Sequence, residues 1–189
     1  FSQRDLTSGL VVSHSKQQSV TIGFNFQYTI VDFDDSITPM TNGHLHNFNF
    51  TLSGVGDHQT YELEYHVTPV LAVSSNILKY TELLDEQALQ LWAGFNYRWH
   101  TSSGHSWQLG LRSDYRLGPV AVYPQAAYCA RLNTQLAIQL GFPDTRLIWN
   151  ITDSLAINLS TGPDGHKWHV YDASRSNASD FYYYVWMSD

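Results

Sequence analysis

Residues 89–116 read LQLWAGFNYRWHTSSGHSWQLGLRSDYR, two alternating segments joined by a short Ser- and Gly-containing turn. Every second residue from Leu89 to Trp99 is uncharged, as is every second residue from Trp107 to Tyr115. The charged residues of both segments all lie on the intervening positions: Arg98, Arg112, Asp114 and Arg116. Because successive side chains of a β-strand point to opposite faces, this pattern predicts a hairpin with one uncharged and one polar face.

The same alternation occurs in four further stretches, 20–30, 61–73, 120–132 and 136–140. Across all six stretches the uncharged face comprises 34 positions without a single Asp, Glu, Lys or Arg. Since 14% of the chain is charged, about five would be expected there by chance. The polar faces of the four added stretches supply further charged or titratable residues: Glu62, Glu64, His66 and Arg131. A charge-free face repeated over strands of this length indicates a surface that meets hydrocarbon.

We therefore expect one domain over residues 1–189, an all-β, antiparallel, up-and-down transmembrane β-barrel of about 10–12 strands with a polar lumen. The predicted strands are 18–33, 43–54, 58–73, 87–101, 105–116, 119–132, 134–141, 145–152, 154–161, 165–172 and 179–187. Residues 1–17 form an extra strand or an ordered tail, and one pair of short strands could be a single bent strand. Only 74–86 has a helical pattern.

The turn after the first quoted segment fixes the hairpin register. An odd number of loop residues keeps both uncharged faces on one side of the sheet. Residues 102–104 provide three, with Gly104 supplying the positive φ of such a loop. The predicted opposite pairs are Thr101 and His105, Trp99 and Trp107, and Gly94 and Arg112. Gly94 would leave room for the long Arg112 side chain.

Connection lengths favour an outer-membrane barrel, whereas two prolines argue against a closed barrel. The connections at 34–42 and 74–86 are long and those at 55–57 and 102–104 are short, an alternation that outer-membrane barrels show. Pro69 and Pro124, however, fall inside predicted strands, where a closed barrel has no free edge to accommodate a missing N–H.

Composition excludes several classes of function. With 10 Lys and Arg against 17 Asp and Glu, the net charge of −7 argues against nucleic-acid binding and provides no polybasic membrane anchor. The single cysteine, Cys129, excludes an intramolecular disulfide and a thiolate-rich metal site. The chain begins at Phe1 without a signal peptide, as a processed mature polypeptide or a trimmed chain would.

The C-terminal third carries turn and strand motifs: Leu140 to Leu147 with Gly141-Phe142-Pro143, Leu155 to Leu159, Gly162 to Val170 with Gly165-x-x-Trp168, and Ser179-Asp180-Phe181. In these roughly 50 residues of 189 the chain resembles a group of uncharacterised outer-membrane β-barrel proteins of Gram-negative bacteria. The resemblance implies a fold and a location in the outer membrane, and it transfers no catalytic residue. Such barrels typically end on an aromatic residue, whereas here Trp186 is followed by Met-Ser-Asp. Either the natural chain continues or the terminal assembly signal is displaced.

The candidate site is the polar face. The lumen-lining candidates are Glu62, Glu64, His66, Arg98, Arg112, Asp114, Arg116 and Arg131. They would form either a lumen that sets selectivity or, as we favour, a salt-bridged ladder that fills a narrow barrel. The candidate membrane-interface aromatics are Tyr97, Trp99 and Trp107, because such rings belong where a strand meets the bilayer surface. We predict outer-membrane lipid as a partner, with other envelope proteins as further candidates.

Enzymatic and metal chemistry have weaker support. Histidines occur in pairs such as His44 with His46, and zinc needs three or four convergent ligands, so no metal site is predicted. Ser106 and His105 are adjacent and point to opposite faces, which leaves a Ser–His pair from separate strands as the hydrolase alternative. No catalytic residue and no cofactor are predicted. The N-x-S/T triplets are attributed to chance.

The sequence thus favours a non-enzymatic outer-membrane barrel, either a narrow pore or a structural partner in an envelope assembly. Two alternatives stay open. One is a lipid hydrolase on the same barrel. The other is a secreted, soluble β-sandwich that binds carbohydrate, in which the apolar faces would form a core between two sheets.

Overall fold

The computed structural model describes residues 2–15, 17–30, 44–80, 82, 84–101, 104–152, 154–172 and 177–188. In that part of the chain the strands are β1 Ser2–His14, β2 Gln18–Ile30, β3 His44–Asp57, β4 Tyr61–Ser74, β5 Leu89–His100, β6 His105–Leu117, β7 Val120–Arg131, β8 Leu136–Phe142, β9 Thr145–Thr152, β10 Leu155–Asp172 and β11 Asn177–Ser188. A short helix α1, Ser75–Lys79, and one 3-10 turn, Glu86–Ala88, lie between β4 and β5. Among the described residues no helix has the length and apolarity needed to cross a bilayer.

The strands form one antiparallel meander in which each pairs with the next along the chain. The sheet closes on itself where β10 pairs in parallel with β4, His169 lying opposite Val73. Within the described residues, β4 to β10 thus make a closed barrel of seven strands, which β1–β3 extend beyond β4 and β11 beyond β10. The predicted all-β, up-and-down barrel is confirmed.

Two choices that the sequence left open are resolved by the strand bounds. The N-terminal segment is a strand, β1, and not a tail. The predicted strands 154–161 and 165–172 are one continuous strand, β10. The predicted loop at 55–57 is wrong, because β3 continues to Asp57 and the turn follows at 58–60. The predicted connection at 34–42 lies outside the described residues.

The predicted hairpin is confirmed in its register. Trp99 lies opposite Trp107 and Gly94 opposite Arg112. Gly104 has a φ of 75°, as the three-residue loop requires. The role assigned to Gly94 is wrong, because the ring of His66, directly opposite on β4, occupies the space that a side chain at Gly94 would fill.

The polarity of the two faces of the sheet is the reverse of that in a water-soluble protein. Outward-pointing residues are exposed, with Leu91 at 64%, Leu111 at 59% and Val122 at 64%. The buried residues of the inner face include many polar side chains: Thr68, Gln90, Ser106, Gln108, Asp114 and Gln125. Apolar side chains therefore cover the outside of the barrel, and polar side chains fill much of its inside.

Both prolines fit within strands for local reasons. At Pro69 the β3–β4 ladder has a gap between its pairs Leu52–Val67 and Asn49–Val70, yet the register is the same on both sides. Inside that gap the Thr51 and Thr68 hydroxyls share a hydrogen bond of 2.9 Å. Pro124 lies beyond the last pair between β7 and β8, Ala126 with Phe142, so no β8 neighbour needs its missing N–H.

Candidate functional site

The meander gives the barrel two distinct ends. The turns at 58–60, 101–104 and 132–135 all lie at one end, which we call the short-turn end. The connection between β4 and β5 lies at the opposite end, which we call the long-loop end. The interior between these ends contains three networks of charged groups, described in turn below.

The first network is near the short-turn end and centres on Arg98 of β5. Its guanidinium donates to Glu62 Oε1 at 2.7 Å and to Gln108 Oε1 at 2.9 Å. Glu64 is more distant, at 3.9 Å from Arg98 Nη2. The network therefore joins β4, β5 and β6 across their inner face.

The second network surrounds Asp114, which is buried at the far end of β6. Its carboxylate accepts hydrogen bonds from Arg112 Nε at 2.5 Å, the Tyr123 hydroxyl at 2.7 Å and the Arg116 backbone N–H at 3.0 Å. A buried carboxylate needs such partners, because leaving it without them costs several kcal/mol, about 3–5 on removal of one partner. Asp114 thereby fixes β6 against β7.

The third network links β6 to the second half of β10. Arg116 makes a two-pronged ion pair with Asp144, at 2.9 and 2.5 Å, and donates from Nε to the Pro163 carbonyl at 3.0 Å. Asp144 lies in the turn between β8 and β9. The predicted Gly-Phe-Pro turn is therefore followed by an aspartate that anchors the interior arginine.

An apolar cluster fills the interior at the long-loop end. Trp168 of β10 is 1% exposed and packs with Leu45, Val70, Ala72 and Val170. This half of β10 contacts β4 and β6 and is joined to β5 by a hydrogen bond, in which Gln90 Nε2 donates to the Lys167 carbonyl at 2.8 Å.

The glycine of the Gly-x-x-Trp motif lets β10 approach β6 closely. A Cβ at Gly165 would lie 2.6 Å from the carbonyl oxygens of Tyr115 and Arg116. Only glycine lets the two backbones approach this closely. Because Trp168 follows Gly165 in the same strand, the position of Gly165 also places Trp168 within the apolar cluster.

Polar contacts join the β10–β11 hairpin to its surroundings. Lys167 Nζ lies 2.8 Å from Asp180 Oδ2. The fully buried His169 lies 3.3 Å from Asp180 and 3.4 Å from Asp85 of the long connection. These contacts attach the hairpin to the connection that follows α1.

The outer surface carries an aromatic row near the short-turn end. Tyr61, Trp99, Trp107 and Tyr128 lie directly opposite one another on four successive strands. Tyr97 stacks on Tyr61 with ring centroids 5.4 Å apart. The candidate interface aromatics thus belong to one continuous row.

The predicted interior residues have different positions. Glu62, Arg98, Arg112, Asp114 and Arg116 take part in the three networks, with Glu64 at the edge of the first, and His66 covers Gly94. Arg131 is exposed at the end of β7, opposite Ala137.

Sequence reasoning missed a polar row on the inner face. The ladders place five residues directly opposite one another on β5 to β9: His100, Ser106, Cys129, Gln139 and Arg146. Ser160 of β10 continues the row beyond Arg146. The predicted hairpin register could have placed His100 opposite Ser106, whereas no such signal sets the register of the strands beyond β6. A cavity of about 250 Å³ opens beside this row, and a second of about 430 Å³ lies between Arg146 and Arg116.

The geometry supports no metal or hydrolytic centre among the described residues. No group of three or more His, Cys, Asp or Glu is arranged there to hold a metal. Ser106 and His100 share the inner face in neighbouring strands, yet the structure gives no hydrogen bond between Ser106 and a histidine.

These features define an all-β barrel protein with a polar, ion-paired interior and an apolar exterior. Comparison with known proteins found no protein family, no curated protein and no solved structure that matches the chain.

Proposed function

We propose that this chain is an integral outer-membrane β-barrel of a Gram-negative bacterium with a non-enzymatic role. The observation that carries the proposal is the reversed polarity of its two faces. Leu111 and Val122 point outward and are more than half exposed, whereas Gln108 and Asp114 are buried inside. A water-soluble protein rarely exposes so large a contiguous apolar surface, and a lipid bilayer is the solvent that suits it.

The height of the apolar surface fits a bilayer. From Leu89 to Trp99, β5 makes ten residue steps, about 33 Å along the strand. At the tilt of about 40° usual in barrels this corresponds to about 25 Å along the axis, the height of the apolar band of outer-membrane barrels. The aromatic row at Trp99 would then lie at one membrane surface. The turn and strand motifs of the C-terminal third support the same location.

Within this location the interior favours a structural role over an open pore. Ion pairs cross the interior from Arg98 to Arg116, and the cluster around Trp168 fills the long-loop end. The natural partners are outer-membrane lipids on the apolar surface and other envelope proteins at the long-loop end. A narrow pore is the second candidate, supported by the two cavities beside Arg146.

The soluble alternative has less support. A carbohydrate-binding sandwich would bury its apolar faces between two sheets, and the residues of those faces are exposed instead.

The location is tested by purifying the full-length protein with and without detergent. A membrane barrel should require detergent and should migrate differently on a gel before and after heating, because the folded barrel resists denaturation by the gel detergent. A monodisperse monomer in detergent-free buffer, with no heat-dependent shift, would overturn the proposal.

The structural role is tested separately in planar bilayers. Reconstituted protein should give no stepwise ion conductance, because ion pairs and the apolar cluster around Trp168 obstruct the interior. Reproducible single-channel steps would favour the narrow pore and reject the structural role.

A further inference from the structure

The inner polar row leads to a binding site with a definite charge. Its members share one face because residues directly opposite in neighbouring strands point to the same side of a sheet. Arg146 stands near the end of the row, between Gln139 of β8 and Ser160 of β10. The guanidinium of Arg146 is therefore flanked by an amide on one side and a hydroxyl on the other.

Arg146 differs from the other interior arginines. Arg98, Arg112 and Arg116 each have a carboxylate within 2.7 Å. Arg146 makes no hydrogen bond or ion pair with any residue that the structure describes, and its side chain is exposed. An arginine inside a barrel whose neighbours are all neutralised is the group that would bind an added anion.

The cavity beside Arg146 has a matching lining. Its polar groups include Arg98, His100, Ser106 and Gln139, and no Asp or Glu is among the described residues around it. Its remaining wall is aliphatic, with Ala137 directly opposite Ile148. The site thus combines positive charge and hydrogen-bond donors with a short apolar wall.

We infer that this cavity binds a small carboxylate with a short aliphatic chain. The planar guanidinium of Arg146 matches a carboxylate with two parallel hydrogen bonds. Gln139, directly opposite Arg146, can donate to the same group, and the chain would lie on Ala137 and Ile148. The cavity of about 250 Å³ equals roughly eight water volumes of about 30 Å³, which suits a chain of about four to six carbons. A phosphate dianion fits less well, because only one cation is unneutralised and part of the wall is apolar. This site lies in the barrel interior itself, so it goes beyond the structural role and does not depend on the membrane location.

Cys129 provides a reporter for the test. It is the single cysteine of the chain, it is partly exposed, and it lines this cavity. The rate at which iodoacetamide alkylates Cys129 in the purified full-length protein therefore reports whether the cavity is occupied. Hexanoate at millimolar concentration should slow the reaction at least fivefold, while hexanol and inorganic phosphate should leave it nearly unchanged.

Two matched variants decide whether Arg146 is responsible. Arg146→Gln should abolish protection by hexanoate, and it should fold because the side chain contacts no other described polar group. Arg4→Gln, an exposed arginine on β1, should retain full protection. Equal protection by hexanol, stronger protection by phosphate, no protection by hexanoate, or protection that persists in Arg146→Gln would each overturn the inference. Should Cys129 prove unreactive, calorimetric titration of hexanoate into the wild type and Arg146→Gln decides by the same criterion: heat of binding in the first and its loss in the second support the site.

Discussion

Asp114 shows at the scale of one residue how the interior accommodates charge. It is 3% exposed and accepts hydrogen bonds from Arg112, Tyr123 and the Arg116 backbone. Each donor would otherwise stay unsatisfied in a place with little water. Removing such a residue lowers the stability of the fold, even though a buried ion pair contributes little more stability than well-packed apolar side chains would.

We predict that Asp114→Ala lowers the free energy of unfolding by about 3–5 kcal/mol, because it leaves the Arg112 guanidinium and the Tyr123 hydroxyl without an acceptor. Urea unfolding of the protein refolded in lipid vesicles measures this change. Glu64→Gln is the control: its carboxylate is 37% exposed and 3.9 Å from Arg98, so a cost under about 1 kcal/mol is expected. Equal costs for the two variants would show that Asp114 is not the centre of its network.

The positions of charged residues on the inner face could be read from the sequence, and their partners only in part. Glu62 and Arg98 share a face by alternation and lie on strands joined along the chain. Asp144, the partner of Arg116, lies in a turn reached through β7 and the short β8, where no loop parity sets the register. Arg146 was missed for the same reason, because β9 spans only Thr145–Thr152.

At the scale of elements, β10 determines how the barrel closes. Its first half pairs with β9, its second half pairs with β11, and His169 reaches β4. Strand alternation predicted both halves as strands. It left their continuity open and did not predict the approach of β10 to β6, because nothing local marks a contact between strands so distant in the chain.

The close approach of β10 to β6 depends on Gly165. We predict that Gly165→Ala destabilises the protein by about 1–3 kcal/mol through overpacking against the β6 backbone. Gly56→Ala is the matched strand glycine, since its added Cβ would meet its nearest neighbour at an ordinary 3.9 Å. Thermal unfolding followed by circular dichroism compares the two. A smaller effect at Gly165 than at Gly56 would mean that the close approach to β6 is not required.

At the scale of the whole molecule, the outer surface makes the most direct prediction about solvent. Leu111 lies midway along β6 and Leu132 beside the short-turn end, and both are more than half exposed. In water, Arg at either position would cost little. In a bilayer, Leu111→Arg should cost about 2–4 kcal/mol and Leu132→Arg about 0–1, because the cost falls from the midplane to the surface. Unfolding in vesicles measures both, and equal small costs would exclude contact between Leu111 and lipid.

Under the proposed outer-membrane location, the two barrel ends predict an orientation in the cell. Long connections of outer-membrane barrels face outward and short turns face the periplasm. In a Cys129→Ser background, Glu86→Cys should therefore react with a membrane-impermeant maleimide on intact cells. Thr60→Cys, in the turn at 58–60, should react only after the outer membrane is permeabilised. The reverse pattern would invert the orientation, and labelling of both in intact cells would argue against a barrel that spans the membrane.

The contact between Val73 and His169 joins residues 96 positions apart, since 169 minus 73 is 96. Among the residues that the structure describes, every other strand pairing links neighbours along the chain and can form progressively, hairpin by hairpin. Loop-closure entropy delays long-range contacts, so the ring should shut last. A nascent chain stalled before His169 would form an open sheet in which β4 still has unpaired backbone N–H and C=O groups. This form would be the most prone to aggregation and to binding by chaperones.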